Sequence, residues 1–178
     1  MNQSIKSISI FVLCAAMLFP SLTYALGGAS AYVGVSAGQA TLIRQSAPDE
    51  TATGYKIFGG LHVTGPFLVE VSHVNLGKYY NNVVEVSGNA LHLVGKLPFT
   101  PAIYALAKVG LFSWDVQNTS SNSSTTGSDT SYGFALAYMM PIGYTVRVEW
   151  EQYSDVGKVN SVSGNDMTLL SVGISLQF

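Results

Sequence analysis

Seven charged residues alternate with mostly apolar neighbours: Lys56, Glu70, Lys96, Lys108, Arg147, Glu149 and Glu151. Four are positive and three negative. Charges set at every second residue among valines and leucines can do one kind of chemistry well, the formation of buried ion pairs, because a lone charge held out of water costs several kcal/mol. Other chemistry is poorly served. His62, His73 and His92 are scattered without metal-ligand spacing, so no metal or cofactor is expected and the histidines read as solvated residues. Ser154 follows Gln152 and Tyr153, with no histidine beside it to take a proton, so no catalytic residue is assigned.

The elements that position these charges are strands. Of the 178 residues, 48% are hydrophobic and only 10% charged, against a usual charged share of about 25%. With 8 basic and 10 acidic residues, the chain is no basic nucleic-acid binder. Period-two alternation dominates and predicts eight strands near 30–40, 53–63, 67–76, 84–97, 102–115, 131–140, 144–153 and 167–178. Connectors alternate in length. Thr64–Pro66, Pro98–Pro101 and Pro141–Gly143 are tight, and the others are long. The tract QNTSSNSSTTGSDT, residues 117–130, reads by composition as a disordered spacer.

Before the strands, Lys6, the apolar run Ile8–Phe19, Pro20 and Thr23-Tyr24-Ala25 read as a secretory signal cut after Ala25. That run is too short for a membrane helix, which needs about 20 residues. It holds Cys14, the sole cysteine, so the mature chain of residues 26–178 forms no disulfide.

Alternation alone does not say which face points outward, since a soluble lipocalin also has eight strands. Charge placement decides. The face carrying Val33, Val35, Val69, Val71, Leu91, Leu93, Val109, Leu111, Phe134 and Leu136 holds no charge along mid-strand, and all seven charges lie on the opposite face. A lipid-facing charge at mid-bilayer costs roughly 2–4 kcal/mol, so the apolar face belongs outside, in lipid. Phe67, Tyr144 and Phe178 near the tight turns, and Tyr55, Tyr132 and Trp150 toward the long loops, suit two interfacial girdles. The expected fold is all-β, an eight-stranded antiparallel up-and-down transmembrane β-barrel. Closing it requires the last strand, LLSVGISLQF, to pair with the first.

The stretches AYVGVSAGQ, FLVEVSHVNLGKY, GKLPF with YALAKVGLF, RVEWEQYSDVGK and LLSVGISLQF resemble, in order, strands of the small outer-membrane barrel family, in particular the transmembrane domain of outer-membrane protein A. The resemblance implies a lumen glutamate at Glu70 and a lumen arginine at Arg147, which makes these two the preferred ion pair. It sets Lys96 near the family's lumen lysine, though offset along the strand, and leaves Ala137 or a neighbour where the family carries a glutamate. It also implies that Phe178 is the aromatic signal read by the barrel-assembly machinery. Barrel enzymes of this size carry a His-x-Ser motif or a loop histidine, neither of which stands here. The function implied is structural or interactive in a Gram-negative outer membrane, touching lipid, lipopolysaccharide and a host or surface ligand. A narrow low-conductance pore is the alternative, and a lipid-modifying enzyme a third.

Overall fold

A computed structural model describes residues 30–44, 48–120, 123–157 and 164–178. The expected leader, residues 1–25, lies outside the described residues. The strands are β1 (Ala31–Ile43), β2 (Glu50–Thr64), β3 (Phe67–Tyr79), β4 (Val84–Pro98), β5 (Ile103–Asn118), β6 (Ser123–Met139), β7 (Tyr144–Val156) and β8 (Asn165–Gln177). Each pairs antiparallel with its chain neighbour, and β8 returns to β1, giving a closed barrel in the order β1 to β8.

Closure is complete to the last residue. Phe178 N–H donates to the Ala31 carbonyl and Ala31 N–H to the Phe178 carbonyl, both at 2.9 Å. No edge is left at the seam, which is the condition for a sheet in hydrocarbon, where water cannot satisfy a backbone group. The tight turns lie where expected. Gly65 (φ 49°) and Gly143 (φ 86°) supply the left-handed backbone for two of them.

The faces sort as charge placement requires. Phe134 (61% exposed), Val109 (60%) and Val172 (57%) stand bare on the outside, while Lys56, Glu70, Lys108, Arg147, Glu149 and Glu151 are each at most 4% exposed inside. Water would penalise such a surface; lipid favours it. Tyr132 meets Trp150 edge-on, centroids 5.9 Å apart, in the girdle toward the long loops. Ala31, on the outward parity, is the exception: the seam buries it to 1%.

The Ser/Thr tract corrects a sequence expectation. Its residues 117–118 and 123–130 are paired strand. β5 runs to Asn118 and β6 begins at Ser123, paired Asn118↔Ser123 down to Ile103↔Tyr138. Polarity says that these residues face water, but it does not prevent pairing, and β-branched threonines favour the extended backbone. Trp114 Nε1 donates to Asp129 Oδ2 at 3.1 Å from beneath, and the Gly127 backbone rests on the Trp114 ring. The hairpin outruns its neighbour, since β6 pairs with β7 only from Ser131↔Tyr153 downward. β3 is likewise longer than expected, and a bulge between Asn75 and Gly77 resets its register.

Close strand approach inside the barrel depends on glycine. A Cβ on Gly110 would meet the Leu91 carbonyl oxygen and lie 2.8 Å from His92 Cα, whereas one on Gly95 meets nothing within 4 Å. Gly110→Ala is expected to lower unfolding stability by about 1–3 kcal/mol and Gly95→Ala to change it by under about 0.5 kcal/mol. Urea titration of the detergent-folded barrel measures both.

Candidate functional site

β7 supplies the framework of the site. Arg147, Glu149 and Glu151 occupy alternate positions and so project into the lumen together. Lys56 reaches them from β2, Glu70 from β3 and Lys108 from β5. Lys108 is the hub: its Nζ lies 2.6 Å from Glu70 Oε1, 2.5 Å from Glu149 Oε2 and 3.4 Å from Glu151 Oε1. Arg147 holds Glu70 with two nitrogens, Nη1 to Oε2 at 2.8 Å and Nη2 to Oε1 at 3.4 Å. Lys56 pairs with Glu151 at 2.5 Å and also with Glu149.

Three cations thus face three anions. Neutral groups complete the shell. Tyr32 donates its hydroxyl to Glu70 Oε2 at 2.8 Å and Tyr153 to Glu151 Oε2 at 3.0 Å. The Arg147 guanidinium carbon sits 3.5 Å from the Phe58 ring centre, a cation–π contact. Glu149 Oε2 is held by charge alone, because Lys108 and Arg147 approach it without hydrogen-bond geometry.

Apolar layers flank the ionic one on both sides. Toward the tight turns lie Tyr32, Phe58, Leu68, Val94, Tyr104 and Leu106. Toward the long loops lie Leu42, Val74, Leu76, Tyr79, Phe112, Trp114, Tyr153 and Met167. An eight-stranded barrel is just wide enough for side chains to fill, and here they fill it. A cavity of about 20 Å³, lined by His62, Lys96, Tyr104 and Arg147 among others, opens at the tight-turn end.

Of the seven charges marked in the sequence, six meet in this layer. Lys96 does not. It stands nearer the tight turns, with its Nζ 4.0 Å from the centre of the Tyr104 ring. Phe178 is partly exposed at the seam, far along the sequence pattern from the ionic layer. His92 corrects the expectation of solvated histidines, being fully buried with Nε2 2.8 Å from Ser131 Oγ. His73, by contrast, is outside, its Nδ1 3.0 Å from Asn89 Oδ1. Sequence parity could place His92 inward; only the register shows that Glu70, His92 and Glu151 bring donor atoms within 4.8 Å of one another. A metal there would compete with Lys108, Lys56 and Arg147, which already occupy both carboxylates.

The family profile described as the outer membrane protein beta-barrel domain matches residues 11–178, and the chain belongs to that family. Similar solved structures include Neisserial surface protein A, at 18% identity and TM-score 0.63, covering 85% of this chain and 99% of that one. The Yersinia pestis attachment invasion locus protein Ail is 9% identical with TM-score 0.59, covering 84% and 98%, and has also been solved with the heparin analogue sucrose octasulfate. The N-terminal barrel domain of Pseudomonas aeruginosa OprF is 16% identical with TM-score 0.58, covering 83% and 97%. At these identities the likeness is one of fold. No curated protein matches the sequence. The chain is an integral outer membrane barrel.

Removing one member of the ionic layer leaves its partners buried and uncompensated. Lys108→Met is expected to cost about 3–5 kcal/mol of unfolding stability, while Lys96→Met, outside the layer, stays within about 1 kcal/mol. Urea unfolding followed by tryptophan fluorescence, with heated and unheated gel mobility as a second readout, measures the difference.

Proposed function

We propose that this protein is a closed outer membrane barrel with a structural and surface-interaction role, exported by a leader over residues 1–25 and acting as the barrel of residues 26–178. The observation that carries this reading is the lumen. A charge-balanced ionic layer whose six members are each at most 4% exposed lies between two clusters of buried apolar side chains, which favours a structural body over a pore. The outer belt anchors that body in lipid, and the β5–β6 hairpin extends beyond the neighbouring strand pairing as the surface offered to partners.

The chemistry of that surface narrows the partner. The described residues of the long-loop end carry Arg44 and Lys78 against Asp49, Glu50, Glu85, Asp115, Asp129, Asp155 and Asp166. An acidic rim does not suit a sulfated polyanion of the kind seen on Ail. It suits uncharged polar groups reached by the hydroxyls of Ser113, Ser124, Thr126 and Ser128, such as the sugars of lipopolysaccharide or of a host surface. An enzymatic reading gains no support, because Gln152 stands where a barrel hydrolase would place its base. In this reading Phe178 is the residue recognised by the barrel-assembly machinery, and its partly exposed ring at the seam supports that role.

Cysteine substitution tests the orientation, since the sole native cysteine lies in the leader. On intact cells a membrane-impermeant maleimide is expected to label Thr125→Cys in the hairpin and not Ile142→Cys in a tight turn. The reverse pattern, or recovery of soluble protein from the periplasm, contradicts the reading. Planar-bilayer recordings of pure protein are expected to show no stepwise current; steady unitary steps would restore the pore. Phe178→Ala keeps both backbone bonds to Ala31 and is expected to reduce assembled barrel in cells severalfold while detergent refolding proceeds normally.

A further inference from the structure

We propose that the tight-turn mouth of the barrel is a binding site for a small oxyanion, a phosphate or carboxylate group entering from that end. The argument begins with charge balance. The lumen carries four cations and three anions. The ionic layer matches Lys56, Lys108 and Arg147 to Glu70, Glu149 and Glu151, so the surplus falls on Lys96. Lys96 makes no ion pair among the described residues, and its ammonium is parked over the Tyr104 ring at the mouth.

The mouth is a built site. Lys96, His62 and Arg147 line its cavity, and none of the lining residues is acidic. Arg147 reaches this cavity from the ionic layer, with its side chain 2% exposed. Its nitrogens Nη1 and Nη2 are taken by Glu70 and Glu149, but its buried Nε–H has no acceptor in the protein. A buried charged donor without an acceptor is costly, and this one belongs to a residue of the cavity wall. Tyr104 and Thr145 add hydroxyls at the wall, joined only by a long contact of 3.5 Å.

Size and charge select the ligand. The cavity volume of about 20 Å³ admits roughly one water-sized group. An oxyanion entering the mouth would have Lys96 and His62 beside it and Arg147 in the wall behind. Cations are repelled, and a bulky apolar ligand finds no room. The same chemistry could be offered by free phosphate or by the headgroup of an anionic phospholipid in the adjacent leaflet.

The test uses the ¹⁵N-labelled full barrel in non-ionic maltoside micelles. Inorganic phosphate, titrated at constant ionic strength, is expected to give saturable shifts at the Lys96 amide, the His62 ring and the Arg147 Nε–H. Lys96→Met, which leaves the ionic layer intact, should weaken apparent affinity about tenfold or more, and Lys96→Arg should retain most of it. Doping the micelles with phosphatidylglycerol separates the sources. If the headgroup fills the site, the same resonances start near their bound positions and phosphate titrates weakly; if only the free ion binds, the titration is unchanged. Either result supports the site. Absence of saturable shifts in both micelles, equal shifts with chloride, or unchanged affinity in Lys96→Met would overturn it.

Discussion

Six charges held out of water at mid-barrel set the terms for the rest of the molecule. An unpaired ion there would cost several kcal/mol, so cations and anions must be equal in number and within reach of each other. Lys108 meets that condition by touching three carboxylates at once, and Arg147 by gripping Glu70 with two nitrogens. The arrangement requires β2, β3, β5 and β7 to hold their registers. A slip of one residue would turn Lys56 or Glu70 into lipid and put a valine or isoleucine inside. The outer belt, the closed ladder and the inner charge layer are therefore one constraint seen from three sides.

The aromatic and aliphatic layers above and below make that constraint stronger. They limit water around the ionic layer, so its pairs act in a lower-dielectric setting where Coulomb attraction is larger. Tyr32 and Tyr153 belong both to an apolar layer and to the ionic one: each buries its ring and turns its hydroxyl to a carboxylate. Such residues join packing to electrostatics, and they make the closed lumen hard to open piecemeal.

Much of this was legible in the sequence because a strand's period is two. The alternation in VRVEWEQY places Arg147, Glu149 and Glu151 on one face whatever the tertiary structure, and the asymmetry of tight and long connectors fixes the up-and-down order. The Glu70–Arg147 pair could be proposed from residue type and resemblance. The hub role of Lys108 could not, because contacts across a barrel depend on how far each strand is staggered against the next. The same ignorance of stagger left Lys96 grouped with charges it does not meet. His92 was misjudged for a different reason, since parity gives direction but not burial. The residue 117–130 tract misled because composition reports preference for water, while pairing with β5 decides whether the chain is ordered.

The two ends of the barrel are chemically unlike. The long-loop end is hydroxyl-rich and acidic, and the tight-turn end is short, aromatic and locally cationic around Lys96. Both rest on a central layer whose members should stabilise the barrel jointly, and a double-mutant cycle reads that directly. Unfolding free energies of the parent, Glu70→Gln, Arg147→Met and the double variant give the coupling between the two residues. The account predicts a coupling above about 1 kcal/mol, the double variant losing less than the two single losses combined. Additivity within about 0.5 kcal/mol would contradict it, and would mean that these charges fill the lumen without holding it together.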